Sequence, residues 1–357
     1  METTTLGELI SLQRGYDLTE MQRRPGNVPI VGSAGVHGYH DTARAKGPGV
    51  MLGRSGASFG KVTFIREDYW PHNTTIFVTD FKGNEPLFVR YLLESLDFSS
   101  LNSGSAQQSL NRNFVYPVKV PKVSLPEQRR IAGILSAYDD LIENCQRRIK
   151  ILETMARALY REWFVHFRFP GHENVPRVAS PLGEIPQGWE VQKLGEILEL
   201  NYGKALKKED RRDGACPVFG SSGVVGTHET ALVQGPGIIV GRKGNVGSVF
   251  WCDDDFFVID TAYFVTSKKL PLRYLFYVLP TLNFINSDAA VPGLSRNQAY
   301  ALNVLVPPAD ILSSFCGLAD AFERQGATLQ RQIQNLRRAR DLLLPRLLSG
   351  QIDVEAA

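Results

Sequence analysis

The sequence is an internal duplication. Leu6-Gly7-Glu8-Leu9-Ile10 returns as Leu194-Gly195-Glu196-Ile197-Leu198, and Gly53-Arg54 returns as Gly241-Arg242. The separation is 188 residues from Gly7 to Gly195 and again from Arg54 to Arg242. Solenoid repeats have periods of roughly 20–50 residues, so a separation this long indicates two copies of a domain, each with the segment that follows it. Two copies of one domain favour recognition of a target that has two halves.

Each copy is predicted to be a mixed α/β domain with a largely β core. Short apolar runs bounded by Gly and Pro predict strands at 28–31, 49–52 and 61–65, and in the second copy at 217–219, 237–240 and 249–251. A helical segment follows near 86–96 and near 271–279. With 357 residues, 43% of them hydrophobic, the chain is long enough for each copy to bury its own core.

A long helix is predicted after each copy, because apolar residues alternate in steps of four and three, the seam of a coiled coil. The first seam comprises Ile131, Leu135, Tyr138, Ile142, Cys145, Ile149, Leu152, Ala156 and Leu159. The second comprises Phe315, Leu318, Phe322, Leu329, Ile333, Leu336, Leu343 and Leu347, with an interruption near Gln325-Gly326. We expect the two seams to bury against each other, antiparallel; the alternative is that each helix packs only on its own domain.

The predicted fold class is therefore α+β, with two pseudo-symmetric mixed α/β domains separated by two long antiparallel coiled-coil helices. The predicted boundaries are 1–122 for the first domain, 123–168 for the first long helix, 169–187 for a Pro-punctuated linker, 188–305 for the second domain and 306–350 for the second long helix. An aromatic cluster ends the first helix and is expected either to close the helix against a domain or to dock a partner. Its members are Tyr160, Trp163, Phe164, Phe167 and Phe169.

A glycine-rich loop carries an arginine at the same position in both copies, at 53–61 and 241–248. It is not a phosphate-binding P-loop, because only three residues separate Gly56 from Gly60 and Val62 follows Lys61. The glycines suit a tight loop between strands. Arg54 and Arg242 are expected to contact a DNA phosphate or guanine; the alternative is a structural turn with a solvated arginine.

A second loop, rich in Ser, Asn, Gln and Arg, lies at 105–113 and matches 292–298 in the second copy. Such side chains either contact base edges and phosphates or brace the junction with the next element. The two loops together supply the candidate DNA-binding residues. These are Arg54, Ser55, Lys61, Ser109, Asn111, Arg112, Arg242, Lys243, Asn245, Ser295, Arg296 and Asn297.

No catalytic or metal-ligating set appears in both copies. Asp253-Asp254-Asp255 has no evident counterpart in the first copy and is interpreted as a solvated acidic turn, so we predict no metal site. His40 and His228 recur singly and are expected to be hydrogen-bonded loop residues. The net charge of +3 permits a nucleic-acid partner, but any contact depends on local placement of Arg and Lys.

The chain is expected to be cytoplasmic. No apolar run approaches the roughly 20 residues that span a membrane, so no membrane partner is expected. The first residues lack the basic and apolar blocks of a signal peptide. The four cysteines are widely spaced and are interpreted as reduced thiols.

The whole arrangement resembles the specificity subunit of type I restriction–modification enzymes. Leu125-Pro126-Glu127-Gln128-Arg129-Arg130-Ile131, with Asp139-Asp140, is similar to that family's central spacer helix. Ile185-Pro186-Gln187-Gly188-Trp189 is similar to the usual opening of its second target-recognition domain. Ser109-Leu110-Asn111-Arg112 and the paired glycine-rich loops also fit.

The resemblance implies a non-catalytic reader of double-stranded DNA, with one target-recognition domain for each half of a bipartite target. Two modification subunits would bind S-adenosylmethionine and methylate adenine at N6, and restriction subunits would join for cleavage; no cofactor is expected in this chain. The glycine-rich loops differ between the copies, so we predict an asymmetric target. Two other functions stay open on the sequence: a duplicated coiled-coil adaptor that binds protein partners, and an enzyme with a site between the copies.

Overall fold

The computed structural model describes residues 2–101, 109–284 and 293–352. Contacts within the chain divide it into two compact units. The first unit comprises Met1–Gln146 with Gln330–Ala357, and the second comprises Arg147–Leu329. Both long helices contribute residues to both units, so neither long helix forms a unit of its own.

The first unit combines short strands with helices of very different lengths. Its strands are β1 (Thr3–Thr5), β2 (Ser11–Arg14), β3 (Val28–Gly32), β4 (Gly35–His40), β5 (Gly49–Gly53), β6 (Val62–Ile65), β7 (Trp70–Pro71), β8 (Thr75–Asp80) and β9 (Lys119–Pro121). Its helices are α1 (Leu6–Leu9), α2 (Pro86–Glu94), α3 (Arg112–Val115), the first part of α4 (Leu125–Tyr160) and the last part of α8 (Ala309–Leu348).

The second unit repeats this order after an additional hairpin. Its strands are β10 (Arg177–Ser180), β11 (Gly183–Pro186), β12 (Glu190–Lys193), β13 (Leu198–Tyr202), β14 (Cys216–Gly220), β15 (Gly223–His228), β16 (Gly237–Gly241), β17 (Val249–Cys252), β18 (Phe257–Val258), β19 (Ala262–Ser267) and β20 (Asn303–Val306). Its helices are the last part of α4, α5 (Leu194–Ile197), α6 (Leu272–Val278), α7 (Arg296–Tyr300) and the first part of α8 (Ala309–Leu348).

The two units share one sheet topology, which confirms the predicted duplication and the α+β class. The order β2-β8-β5-β6 in the first unit corresponds to β13-β19-β16-β17 in the second, and β4-β3-β7 corresponds to β15-β14-β18. In each three-stranded sheet the first hairpin carries a register shift, after Ile30 and after Val218. These two residues are themselves 188 positions apart, so the duplication extends to backbone irregularities.

Each unit has its own hydrophobic core between the four-stranded sheet and its helices. In the first unit Val50 of β5, Phe88 of α2 and Leu135 of α4 belong to one buried cluster. In the second, Ile238 of β16, Tyr274 of α6 and Phe315 of α8 belong to another. Strands β5 and β16 are buried along their whole length, as continuous apolar runs between glycines predict.

The long helices follow the predicted seams. Every seam residue predicted in α4 is buried or half-buried. Within the first unit α4 and α8 run antiparallel, because Asp139 of α4 contacts Arg340 of α8 while the later Cys145 contacts the earlier Gln332. The two helices therefore pack on each other as well as on the core, which confirms the expected antiparallel packing within this unit and excludes the alternative that each helix packs only on its own domain.

Three details of the helices differ from the sequence prediction or refine it. Helix α4 begins at Leu125, with the backbone N–H of Ser124 donating to Glu127 Oε2 at 3.0 Å, so Pro126 and Glu127 lie in its first turn. Helix α8 is continuous through Gly326 and Pro345 and ends at Leu348, before Gly350 with φ of 69°.

The predicted seam of α8 was wrong at Leu318, which is 44% exposed. Leu312 and Ala319 are buried in its place. Between Phe315 and Phe322 the buried seam can pass through Leu318, in steps of three and four residues, or through Ala319, in steps of four and three. Both paths fit the sequence. The small side chain of Ala319 is the one that fits against the core of the second unit.

The aromatic cluster after α4 packs inside the second unit, which confirms its structural role. Phe164 lies 4.9 Å, between ring centroids, from both Tyr274 and Phe315, and Tyr160 stacks on Tyr277 at 6.1 Å. The segment predicted as a linker contains the antiparallel hairpin of β10 and β11, and Ile185 within it is buried in the same core. Among the described residues, no helix combines the length and the apolar character needed to cross a membrane.

Candidate nucleic-acid interface

The glycine-rich loop of the first unit connects β5 to β6 and closes on itself. The N–H of Gly60 donates to the carbonyl of Gly53 at 2.8 Å, and the N–H of Gly53 donates to the carbonyl of Lys61 at 2.8 Å. A Cβ on Gly53 would lie 1.9 Å from the Ser58 carbonyl oxygen, which excludes any larger residue. The expectation that these glycines serve a tight loop between strands is confirmed.

The second unit builds the same loop from a different sequence. The N–H of Gly247 donates to the carbonyl of Gly241 at 2.9 Å, and the N–H of Gly241 donates to the carbonyl of Ser248 at 2.7 Å. A Cβ on Gly241 would lie 2.1 Å from the Asn245 carbonyl oxygen. The two arginines that follow, Arg54 and Arg242, are therefore held at equivalent positions by equivalent backbones.

The structure joins the two predicted loops in each unit. Ser55 pairs with Ser109 in an isolated antiparallel bridge, and Lys243 pairs with Gly293 in the same way. The N–H of Leu110 donates to the carbonyl of Arg54 at 2.8 Å, and the N–H of Leu294 donates to the carbonyl of Arg242 at the same distance. Residues 105–108 and 292 of the predicted second loop lie outside the described residues.

The joined loops form one wall of an open cleft in the first unit, with a volume of about 440 Å³, which we call the first cleft. It is lined by Gln13, Arg14, Gly15, Tyr16, Arg54, Ile76, Ser109, Leu110, Asn111 and Arg112. Three arginines thus meet at one cleft, although the whole chain carries a net charge of only +3. Within the described ranges, the Arg54 guanidinium has no hydrogen-bond or ion-pair partner.

The corresponding second cleft has a volume of about 390 Å³ and is lined by Tyr202, Arg242, Lys243, Tyr263, Gly293, Leu294, Ser295, Arg296 and Asn297. The Arg242 guanidinium carbon lies 4.7 Å from the centroid of the Tyr202 ring, and that of Arg296 lies 4.5 Å from the same centroid. Burial raises the pKa of Tyr263 to about 12, and a hydrogen bond with Tyr202 makes a smaller contribution in the same direction. The Tyr263 hydroxyl donates to the Leu294 carbonyl at 3.0 Å and fixes the second loop.

Several predicted site residues have bracing contacts. Arg112 Nη1 donates to the carbonyl of Leu12 at 3.1 Å, and Arg296 Nη1 donates to the carbonyl of Leu200 at 3.3 Å. Asn111 Oδ1 accepts a hydrogen bond from the Asn113 N–H at 3.0 Å and caps α3. One guanidinium bond does not exhaust the five N–H donors of an arginine, so bracing and DNA contact are compatible; DNA contact by these residues stays a prediction.

Three predicted residues are not part of the lining of either cleft. Lys61 lines a separate depression with Arg90 and Asp139, although it belongs to the glycine-rich loop. Asn245 is exposed at the tip of the second glycine-rich loop, where its backbone carbonyl accepts a hydrogen bond from Ser248 Oγ at 2.9 Å. Ser55 takes part in the bridge to Ser109. The remaining candidates line one cleft or the other.

Arg14 and Tyr202 line the clefts but were not among the sequence candidates. They occupy the same strand position, because Arg14 pairs across the sheet with Ile76 and Tyr202 pairs with Tyr263. Identical residues mark the repeat, so they give no sign of a position at which the copies differ. The signal that could have found them is the constant separation of 188 residues, which also relates these two positions.

Two histidines and one acidic turn also occupy corresponding positions in the two units. His40 Nδ1 accepts a hydrogen bond from the Arg24 N–H at 3.1 Å, and His228 Nδ1 accepts one from the Arg212 N–H at 3.1 Å, so both are hydrogen-bonded as expected. They are not loop residues, however, because they end strands β4 and β15. The prediction that Asp253-Asp254-Asp255 has no counterpart in the first copy was wrong for Asp255, which corresponds to Asp68. Asp255 Oδ1 accepts from the Gly235 N–H at 2.9 Å, as Asp68 Oδ1 does from Gly47.

Both clefts lie in segments that match one protein family. The model of the type I restriction modification DNA specificity domain matches residues 1–154 and 186–311, which include both copies of the repeat. The chain belongs to this family of DNA specificity subunits.

Individual relatives agree with this assignment. The chain is 26% identical to the type I restriction enzyme MjaIX specificity subunit of Methanocaldococcus jannaschii, over 75% of this chain and 69% of the relative. It is 23% identical to the EcoprrI specificity subunit of Escherichia coli over 43% of this chain and 39% of the relative. The crystal structure of a type I restriction-modification S subunit from M. genitalium has the same fold. It superposes with a TM-score of 0.64 and 18% identity, over 97% of this chain and 96% of that one.

Proposed function

We propose that this chain reads a bipartite, asymmetric DNA target, with one domain for each half-site. The observation that carries the proposal is that each unit has one of these clefts. The two clefts have equivalent backbone conformations but are lined by different side chains. The residues 1–122 and 188–305 would be the two target-recognition domains. Guanidinium groups suit both roles that such a domain needs, since they bind phosphates and pair bidentately with guanine.

We propose that the chain itself is not catalytic. Adenine N6 methylation would be carried out by two modification subunits, which would bind S-adenosylmethionine and receive the flipped base. Restriction subunits would join for cleavage. The family membership supports assembly with such subunits, and the DNA partner would place the chain in the cytoplasm.

The long helices would set the gap between the half-sites. Helix α4 has 36 residues and α8 has 40, so each extends over roughly 50–60 Å at about 1.5 Å per residue. Segments 123–168 and 306–350 would then act as spacers, with 169–187 connecting the first spacer to the second domain. Two half-sites must present their grooves in a compatible phase, which a stiff helical spacer can enforce.

The experiment that tests this proposal is single-molecule sequencing for N6-methyladenine. DNA would be taken from cells that co-express this chain with its neighbouring methyltransferase subunit, and from cells that express the methyltransferase alone. One bipartite motif with unlike halves and a fixed gap, present only with both proteins, supports the proposal. Co-purification of the two proteins without sequence-dependent DNA binding would contradict it and favour a protein-binding adaptor.

A further inference from the structure

The two clefts follow the same backbone path but carry different side chains, and one exposed position holds arginine in the first cleft and tyrosine in the second. Arg14 ends β2 and Tyr202 ends β13, and each is followed by a glycine packed against backbone. A Cβ on Gly15 would lie 2.1 Å from the His72 carbonyl oxygen, and one on Gly203 would lie 2.2 Å from the Ile259 carbonyl oxygen. The side chain at this position can therefore change while the cleft keeps its shape.

In the second cleft two arginine guanidinium groups contact the ring of Tyr202. Arg242 and Arg296 both lie within 5 Å of its centroid. Guanidinium groups repel one another, whereas the negative face of an aromatic ring attracts each of them. Each arginine also donates one bond to a backbone carbonyl, Arg242 to Asp260 at 3.0 Å and Arg296 to Leu200 at 3.3 Å.

This arrangement orders both guanidinium groups before a ligand binds. Groups that are already ordered lose less freedom on binding, so they contribute more of their contact energy to affinity. Tyr202 is itself 47% exposed, although it is a large aromatic residue. Its role is therefore better explained by the two arginines that it holds than by burial in the core.

The first cleft has a different design. Arg14 replaces the tyrosine, and its guanidinium lies 3.4 Å from Asp17 in an ion pair whose side chains are 54% and 70% exposed. Such an exposed pair contributes little to ordering. Arg14 thus adds an exposed cation to the cleft that Arg54 and Arg112 also line, where the second cleft has an aromatic ring. Exposed cations favour phosphate contacts, which position a protein on DNA without reading its sequence.

We infer that Tyr202 is a specificity-determining positioning residue of the second domain, and that Arg14 is a DNA-backbone contact of the first. Tyr202 acts through the guanidinium groups of Arg242 and Arg296, which it holds for the second half-site. This inference rests on the proposed function, since it assigns separate roles within the same two clefts.

The test uses the full chain assembled with its modification subunits and compares Tyr202→Leu, Tyr202→Phe and the matched variant Arg14→Leu. Affinity is measured for duplexes carrying the intact target, a scrambled first half or a scrambled second half, over a series of salt concentrations. Tyr202→Leu should lower discrimination against the scrambled second half by roughly threefold to thirtyfold. Tyr202→Phe should retain most of it, because the ring face is kept.

Arg14→Leu should instead weaken all three duplexes alike and reduce the slope of log affinity against log salt by about one. The inference about Tyr202 is overturned if Tyr202→Leu leaves second-half discrimination intact, alters both halves equally, or is no worse than Tyr202→Phe. Should Tyr202→Leu fail to assemble, Tyr202→Gln provides the same comparison. A wild-type complex without a bipartite target refutes the proposed function, whereas a wild-type target that is unaffected by Tyr202→Leu refutes only this inference.

Discussion

The hydroxyl of Tyr91 donates a hydrogen bond to Oδ2 of Asp139 at 2.7 Å, which joins α2 to α4 in the first unit. Arg90 approaches the same carboxylate at 2.8 Å, and Arg340 of α8 contacts its other oxygen. The second unit has a related contact, in which the hydroxyl of Tyr277 in α6 donates to Glu323 of α8 at 3.3 Å. In both units a tyrosine of the domain thus holds an acidic residue of a long helix.

Replacing Arg340 with Met should destabilise the first unit. The substitution keeps much of the apolar stem but leaves the half-buried Asp139 carboxylate with one partner fewer. Hydrogen bonds to charged groups contribute about 1.5–3 kcal/mol, and partial exposure reduces this, so we expect a loss of about 1–2 kcal/mol in the free energy of unfolding. Arg338→Met, on the exposed face of α8, is the control. Equal losses in chemical denaturation of the two variants would contradict the prediction.

The same carboxylate should make stability depend on acid pH. Burial opposes ionisation of Asp139, but hydrogen bonds from Arg340 and Tyr91 and the charges of Arg90 and Arg340 outweigh it and lower its pKa. The unfolded value is about 3.9, so the stabilisation is present above that pH and disappears as the pH falls through the lower folded value.

Asp139→Asn should therefore flatten the decline of the unfolding temperature below about pH 4. The neighbouring Asp140→Asn, at a more exposed carboxylate, should leave that decline unchanged. Identical acid profiles for wild type and Asp139→Asn would show that the cluster does not contribute.

A second pH dependence should come from two histidines of the first unit. The rings of His37 and His72 lie 5.0 Å apart, and burial, together with the positive charge of Arg23, lowers the pKa of both. Their folded pKa values lie below the unfolded value of about 6.5, so the stability is present above pH 6.5 and is lost as the pH falls through the folded values.

The second unit supplies the replacements, since Val225 and Ile259 occupy the corresponding positions. The double variant His37→Val, His72→Ile should reduce the change in melting temperature between pH 7.5 and pH 5. An unchanged pH profile, with the variant folded, would mean that other groups are responsible.

The duplication made much of the fold predictable. The constant separation identified equivalent strands such as β5 and β16, and the alternating steps identified the buried face of α4. The seam of α8 failed at Leu318 because two heptad orders fit the same residues, and only the space beside the core of the second unit selects Ala319. The hairpin at β10 and β11 was missed because its prolines were interpreted as marks of a linker.

The candidate site was predictable only in part. Arg54 and Arg242 were found because both copies keep the residue, and their loop geometry followed from the glycines. The bridge from Ser55 to Ser109 joins residues far apart in the sequence, so periodicity gives no sign of it. Arg14 and Tyr202 were missed for a different reason, because the repeat is recognised from identical residues and this position differs between the copies.

The spacer proposal predicts the effect of lengthening both long helices. The contact units divide α4 after Gln146 and α8 after Leu329, so one heptad inserted at each point disturbs neither interior. Seven residues add about 10.5 Å, which corresponds to about three base pairs of DNA. The methylated motif should keep both halves and gain about three base pairs in its gap. An insertion in α4 alone is the control and should abolish methylation, because the antiparallel seams lose their register; an unchanged gap in the double insertion would refute the spacer role.

Arg242→Ala should relax only one half of the target. Arg242 belongs to the second unit and lines the second cleft, so its loss should leave the half-site read by the first domain unchanged. A bidentate contact to guanine contributes about 1–3 kcal/mol of discrimination, and loss of a phosphate contact would instead weaken binding without changing the motif.

Arg54→Ala is the matched variant and should alter the opposite half. Methylome sequencing of the two variants separates the outcomes, because each domain should change its own half of the motif. Lys61→Ala should have a smaller effect than Arg54→Ala, since Lys61 lies outside the first cleft. If Arg242→Ala and Arg54→Ala alter both halves equally, the two clefts do not read DNA independently, and the assignment of one half-site to each domain is wrong.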